Sequence, residues 1–246
     1  MNNILLAVCT CKQNLNKALF YENFLKKYNF NNYLFYHGEG ISPSNKFVNL
    51  NTDDCYSNLT KKSFLMLDRL KNFEFDYLVK VDDDTFIDLI ALFELNVGDS
   101  DYIGGASTLK THIQNFEFYK EYLLSRSLKK NIDFNYTKNL SDFKYILGNF
   151  CILRKDLILK ILNFIKTDKI YGKIPQEDIS IGYVCDQIKA NMLDLSDNIP
   201  FYEITNNISY HPIPLVLFNM FFNKREKNDR VQLCRKFLPL NKYFKK

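Results

Sequence analysis

The stretch Tyr77-Leu78-Val79-Lys80-Val81-Asp82-Asp83-Asp84-Thr85-Phe86 decides how the rest of the 246-residue chain is read. Its first half is apolar and β-branched, the composition of a buried strand, and three carboxylates follow without a break. Three adjacent like charges repel one another, and a hard divalent cation bridging them to an anionic ligand is the simplest compensation. In open α/β sheets, ligands sit just beyond the carboxyl ends of the strands, which is where the triplet falls. The competing reading is a solvated turn whose aspartates cap a helix over the apolar run Ile87 to Leu95.

On the N-terminal side of the triplet, strand and helix signals alternate. Ile4 to Thr10 reads as a strand, Asn14 to Tyr28 as an amphipathic helix, and Tyr33 to His37 and Lys46 to Leu50 as strands. Tyr56 to Leu70 is a helix with Leu59, Phe64, Leu67 and Leu70 along it. Gly38-Glu39-Gly40 and Ser42-Pro43-Ser44 mark loops. This alternation predicts an α/β fold with a mostly parallel sheet and crossover helices. On the C-terminal side, Tyr102-Ile103-Gly104-Gly105 reads as a short strand ending in a flexible turn, and Asn115 to Lys130 as helical. The polar segment Asn131 to Ser141 reads as a surface loop able to order over a substrate.

Composition narrows the function classes. With 46% hydrophobic residues the chain buries a real core. The net charge of +5, from 33 basic and 28 acidic residues mixed along the chain, is too small and dispersed for a nucleic-acid partner. An anionic small molecule or a membrane surface stays compatible. Cys9, Cys11, Cys55, Cys151, Cys185 and Cys234 lie mostly singly in apolar contexts and read as reduced core thiols, with no zinc pattern among them.

Met1-Asn2-Asn3 leading into Ile4 to Val8 lacks the basic region and cleavage site of a secretory signal, and no window reaches the roughly 18 to 20 apolar residues of a membrane span. The expectation is a cytoplasmic protein, with peripheral contact on the inner membrane face open to it. Sequons at Asn58, Asn135, Asn139 and Asn207 then reflect asparagine-rich composition. Residues 214–246 combine Pro214-Leu215-Val216-Leu217-Phe218 and Phe221-Phe222 with Lys224, Arg225, Lys227, Arg235, Lys236 and the basic Lys242 to Lys246 end. Such an extension fits either an anionic membrane interface or ordinary packing on the domain.

Asp54-Cys55-Tyr56-Ser57-Asn58-Leu59-Thr60-Lys61-Lys62 is similar to the Asp-X-Tyr-X-Asn-Leu-Thr-X-Lys motif of the β-1,3-glycosyltransferases, the family of β-1,3-galactosyltransferases and Fringe-like N-acetylglucosaminyltransferases. Tyr77 to Phe86 resembles their strand with the Asp-X-Asp metal motif. Tyr102-Ile103-Gly104-Gly105, Tyr145 to Leu153 and Gln176-Glu177-Asp178-Ile179-Ser180-Ile181-Gly182 follow in the family's order. An ordered set of this kind is far more specific than a lone Asp-X-Asp.

The resemblance implies a GT-A fold, a Rossmann-like mixed sheet flanked by helices, spanning residues 1–213 as one catalytic domain. It implies an inverting, metal-dependent transferase of UDP-galactose or UDP-N-acetylglucosamine, forming a β-1,3 linkage to a glycan or lipid-linked saccharide. Mn2+ or Mg2+ would be ligated directly by Asp84, with Asp82 helping through water or the donor ribose and Asp83 nearby. His211 falls where Fringe-like members place a metal-binding histidine, although a lone histidine beside Pro212 is equally a packed or surface residue. Asp178 matches the base that takes the acceptor proton, and Glu177 would cap the helix or bind acceptor hydroxyls.

Lys62 matches the motif's lysine, either neutralising the diphosphate or holding a carboxylate of the triplet. Gly104, Gly105 and Gly148 would let backbone approach a sugar, and Thr10 would border the uracil or ribose pocket by topology alone. His37 and His112 are assigned no chemistry.

The chain departs from animal members in having no tryptophan and in carrying Gly148-Asn149-Phe150-Cys151 where they carry Gly-X-Gly-Tyr. These departures point to a short bacterial or viral enzyme. The same aspartates would serve a GT-A transferase of another sugar or linkage, and the fold would serve a catalytically silent nucleotide-sugar or carbohydrate binder. A calcium module is disfavoured, because the triplet lacks alternating ligands and a later glutamate.

Overall fold

The computed structural model describes residues 3–87, 89–114, 140–168, 171–196 and 201–203. The chain divides into two compact units, the larger being Met1–Asp83 with Leu95–Ile199. Its centre is β1 (Ile4–Cys9), an apolar run with parallel neighbours on both sides. One neighbour is β2 (Tyr33–His37), buried throughout and flanked by the edge strand β3 (Phe47–Asn49). The other is β4 (Tyr77–Asp82). The smaller unit begins at Asp84, and its described part is β5 (Thr85–Ile87), α3 (Leu89–Glu94) and β9 (Phe201–Glu203), with β5 and β9 paired antiparallel.

Beyond β4 the larger sheet continues through β7 (Lys144–Arg154), β6 (Tyr102–Thr108) and β8 (Met192–Asp194), giving the order β3-β2-β1-β4-β7-β6-β8. Only β7 runs against its neighbours, so the sheet is mixed and mostly parallel, as the alternating signals predict. The chain leaves β1 toward β2 on one side and returns to β4 on the other. That reversal makes the carboxyl ends of β1 and β4 the topological switch point where ligands bind in open α/β sheets. Cys9 lies in register with both Tyr36 and Asp82, so β1 and β4 finish level, one residue short of the end of β2.

Helices α1 (Leu15–Lys27), α2 (Leu59–Leu70), α4 (Leu109–Gln114), α5 (Lys155–Phe164) and α6 (Glu177–Gln187) accompany the sheet. α2 buries Phe64, Met66, Leu67 and Leu70 into a core shared with Leu78, Leu153, Leu157 and Val184. At about 25 cal/mol per Å2 of apolar surface removed from water, that face holds α2 in place. α6 lies so close to β7 that a Cβ on Gly182 would sit 2.1 Å from the Cβ of Tyr145.

One sequence expectation changes. Gly104 and Gly105 do not end a strand: both lie buried inside β6, at a bulge opposite β7. Gly104 adopts φ +155°, and a Cβ there would meet Ile146 Cγ2 at 2.3 Å and the carbonyl of Phe150 at 2.8 Å. Its missing side chain therefore serves strand packing. The helix over 115–130, the segment 131–139 and the extension 214–246 lie outside the described residues. Cys9, Cys11, Cys55, Cys151 and Cys185 are free thiols, as expected, and His37 is fully buried with its ring nitrogens at Glu39 O and Ser42 Oγ.

Candidate active site

β4 carries a lysine in the middle of its apolar run. Val79 and Val81 are fully buried, and Lys80 between them is only 1% exposed. A buried ammonium is tolerated when anions and carbonyls surround it. Lys80 Nζ lies 3.0 Å from Glu177 Oε1 and 3.4 Å from Asp82 Oδ1, and it also donates to the carbonyl of Gly148. Burial by itself would favour the neutral amine, but the Asp82 and Glu177 carboxylates outweigh it and hold the ammonium charged.

At the end of β4 the first two aspartates diverge. Asp82 leans to Lys80 and leaves 40% of its side chain exposed. Asp83 is buried and accepts from Thr10 Oγ1 at 2.7 Å and Asn14 Nδ2 at 3.4 Å. The triplet's repulsion is thus partly offset by the chain itself, through Lys80, Thr10 and Asn14. Burial pushes the Asp83 carboxyl up to about 6, against the Thr10 hydrogen bond.

The segment Asp54 to Lys62 has a visible division of labour. Lys62 is 2% exposed on the inner face of α2, and its ammonium meets Asp54 Oδ1 at 2.8 Å and the carbonyl of Thr10. The carboxylate it holds is therefore Asp54 and not a member of the triplet. Asp54 also accepts the backbone N–H groups of Lys12, Gly38 and Glu39. Burial would raise its pKa, but Lys62 and these amides overcome that and lower it. Thr60 Oγ1 donates to the carbonyl of Ile174 at 2.7 Å, tying the start of α2 to the loop ahead of α6.

Glu177 and Asp178 open α6, where the helix dipole favours negative charge. Glu177 is buried against Lys80, whereas Asp178 is half-buried and accepts the N–H of Ile179 at 2.8 Å. Gly148 makes room for the pair, since a Cβ there would come 2.7 Å from Glu177 Oε1 and 3.4 Å from Asp178 Cβ. Burial first, and the Glu177 charge second, push the Asp178 carboxyl up to about 7. The arrangement holds one neutralised carboxylate and one poised to exchange a proton near neutral pH, beside the exposed aspartate that ends β4.

Among the described residues no group of three His, Cys, Asp or Glu side chains converges as a metal cluster. The half-buried Asp82 carboxylate is a hard oxygen donor of the kind a divalent cation takes. His211 lies outside the described residues.

The galactosyltransferase family profile matches residues 43–196, well over half the chain and all of the segment from Asp54 to Asp178. The chain belongs to the galactosyltransferase family. It is a glycosyltransferase, and the GT-A architecture expected from its motifs agrees with the sheet observed. Curated proteins give no match.

Solved structures similar to this glycosyltransferase include a glycosyltransferase involved in glycosylation of the major capsid of PBCV-1, at 12% identity, TM-score 0.42, covering 78% of this chain and 83% of that one. The galactosyltransferase LgtC with donor and acceptor sugar analogs follows at 11% identity and TM-score 0.40, over 72% and 68%. The catalytic domain of Drosophila β1,4-galactosyltransferase 7 matches at 10% identity and TM-score 0.40, over 96% and 80%.

Within the transferase, the fold brings Thr10, Asp82, Asp83, Glu177 and Asp178 to one end of the sheet, with Lys62 buried behind Thr10. Gly104 is turned instead to the interior of the sheet. The sequence reading assigns no role to Lys80, which the structure places between Glu177 and Asp82. The signal was present, because a lysine inside a strand otherwise apolar must be paired. Among the described residues no helix is long and apolar enough to cross a membrane.

Proposed function

We propose that this glycosyltransferase moves galactose or N-acetylglucosamine from a UDP-sugar to a hydroxyl of a glycan or lipid-linked saccharide, with inversion and a β-1,3 linkage. The observation that carries the reading is the juxtaposition, through Lys80, of the Glu177–Asp178 pair with the aspartate ending β4. An acidic pair that is half open to substrate, next to a strand end at a switch point, supports single displacement.

Asp178 is the base. Its carboxylate takes the acceptor hydroxyl proton as the oxygen attacks the anomeric carbon. The bond from that carbon to the diphosphate oxygen breaks, and UDP departs with the electron pair. A group whose pKa lies near the working pH is well matched to this role, which contributes about 10²- to 10⁴-fold in rate. Glu177, neutralised by Lys80, holds acceptor hydroxyls or the helix end. A divalent ion, Mn2+ or Mg2+, would be held by Asp84 directly and by Asp82 through water or the ribose, with His211 as a further ligand. Such an ion supplies charge neutralisation to the leaving diphosphate. Thr10 and Asp83 would border the nucleoside. The basic and aromatic residues of 214–246 would give peripheral membrane contact near a lipid-linked acceptor.

Release of free UDP from a panel of UDP-sugars, with and without Mn2+, tests the reading without knowledge of the acceptor. Manganese-dependent release from one sugar, lost in Asp84→Ala, is expected. An absence of both cleavage and metal-dependent UDP binding would refute the nucleotide-sugar assignment.

A further inference from the structure

Three elements converge on one buried atom. Lys80 Nζ reaches Asp82 on its own strand β4, the carbonyl of Gly148 on β7, and Glu177 at the head of α6. An ammonium has three N–H donors and no acceptor, so these three contacts use all of them. At 1% exposure the group has no proton left to offer a phosphate or a sugar. It is an internal tie, and its partners belong to the two ends of the proposed reaction.

We propose that Lys80 is a positioning residue that fixes the acidic pair of α6 against the aspartate of β4 and, by neutralising Glu177, leaves Asp178 as the carboxylate that takes the proton. This rests on the transferase reading. Gly148 closes the cradle on its other side, because Glu177 Oε1 would stand only 2.7 Å from a Cβ there. With Lys80 bonded to Glu177 Oε1 and the bare backbone of Gly148 against the same oxygen, Glu177 is confined, and Asp178 follows from it along the first turn of α6. Without the ammonium, Glu177 becomes a second buried charge beside Asp178, free to turn outward and compete for the acceptor proton. Asp82 in the same event loses a cation and gains availability to a divalent ion. Donor-end binding therefore survives while the geometry of the base does not.

The test compares the unmutated protein, Lys80→Met and the double variant Lys80→Met with Glu177→Gln, by thermal melting, by calorimetric UDP binding with Mn2+, and by donor turnover. Lys80→Met is expected to melt lower and to bind UDP within about threefold of the parent, while turnover falls about 100-fold, the cost of a misplacement near 1 Å. The double variant regains melting temperature, because the amide carries no charge to compensate, and does not regain turnover.

Turnover of Lys80→Met within about twofold of the parent would overturn the proposal. So would a parallel loss of UDP binding and turnover, or recovery of both stability and turnover in the double variant, since each marks a merely structural lysine. Failure of the unmutated protein to bind UDP or cleave any donor would overturn the transferase reading itself and this proposal with it, and that failure is visible before any variant is made.

Discussion

Replacing Gly148 by alanine adds a single methyl 2.7 Å from Glu177 Oε1 and 3.4 Å from Asp178 Cβ. An ordinary contact begins at 3.4 Å, so the Glu177 carboxylate must retreat by about 0.7 Å. Elsewhere the tip of a glutamate would yield at little cost. Here it is held at 3.0 Å by Lys80, and the retreat displaces it from that hydrogen-bond geometry.

Overpacking of this kind costs roughly 1 kcal/mol, because a side chain and not backbone gives way. Activity is more sensitive. If 1 Å of misplacement costs about 100-fold, then about 0.7 Å costs roughly 10- to 100-fold. Gly148→Ala is thus expected to melt within a few degrees of the parent while UDP release from the preferred donor falls by that factor. Gly182→Ala is the matched control. Its Cβ would meet Tyr145 Cβ at 2.1 Å and Tyr145 Cα at 3.0 Å, and backbone cannot retreat as a side chain does, so stability suffers first. Turnover of Gly148→Ala within about twofold of the parent would refute the placement of Glu177 in the catalytic geometry.

In the proposed mechanism the reactive form of Asp178 is the carboxylate, and its pKa is raised to about 7, so kcat/KM should climb as pH rises through about 7. A limb near the ordinary 3.8 would remove Asp178 as the base. The same shift makes the folded state bind the proton more tightly than the unfolded chain. Its contribution to stability is therefore present at acid pH and lost as pH rises toward about 7, a cost accepted for reactivity. Lys62→Met leaves Asp54 with only backbone donors in a site 11% exposed. Breaking such a pair costs about 3 kcal/mol, or roughly 6 to 12 °C in melting temperature for a domain of this size, and a change under about 2 °C would refute it.

Much of this was legible in the order of residues, and the boundary is instructive. β1, β2, β4 and α2 announce themselves because burial on one or both faces imposes a local pattern that the chain cannot avoid. The acidic pair is legible for the same reason: Pro175 and the apolar run after it mark a helix start. What was hidden depends on partners distant in sequence. Lys61 and Lys62 are chemically identical neighbours, yet one is exposed and the other 2% exposed, a difference of helix face. The partner of Lys62 is Asp54, which its own motif contains and which no periodicity pairs with it. The reversal of β7 and the bulge at Gly104 arise from cross-strand register, invisible to a reading of single segments. Lys80 is hidden in the same way, because its strand declares itself by hydrophobic content and the triplet by charge, while its partner Glu177 lies 97 residues away.

The ties that assemble this end of the molecule span long stretches of chain: 73 residues from Thr10 to Asp83, 97 from Lys80 to Glu177, and 114 from Thr60 to Ile174. Closing such loops is slow and entropically costly. Until α6 docks, Lys80 sits in its strand as an ammonium lacking one of its two carboxylates, and the first four strands lack their charge balance. The Lys80–Glu177 contact therefore cannot form before α6 docks. A folding intermediate with β1 to β4 formed but α6 undocked would carry a destabilised centre, and proteolysis or chaperone capture during refolding should fall on chains that have not yet brought residue 177 home.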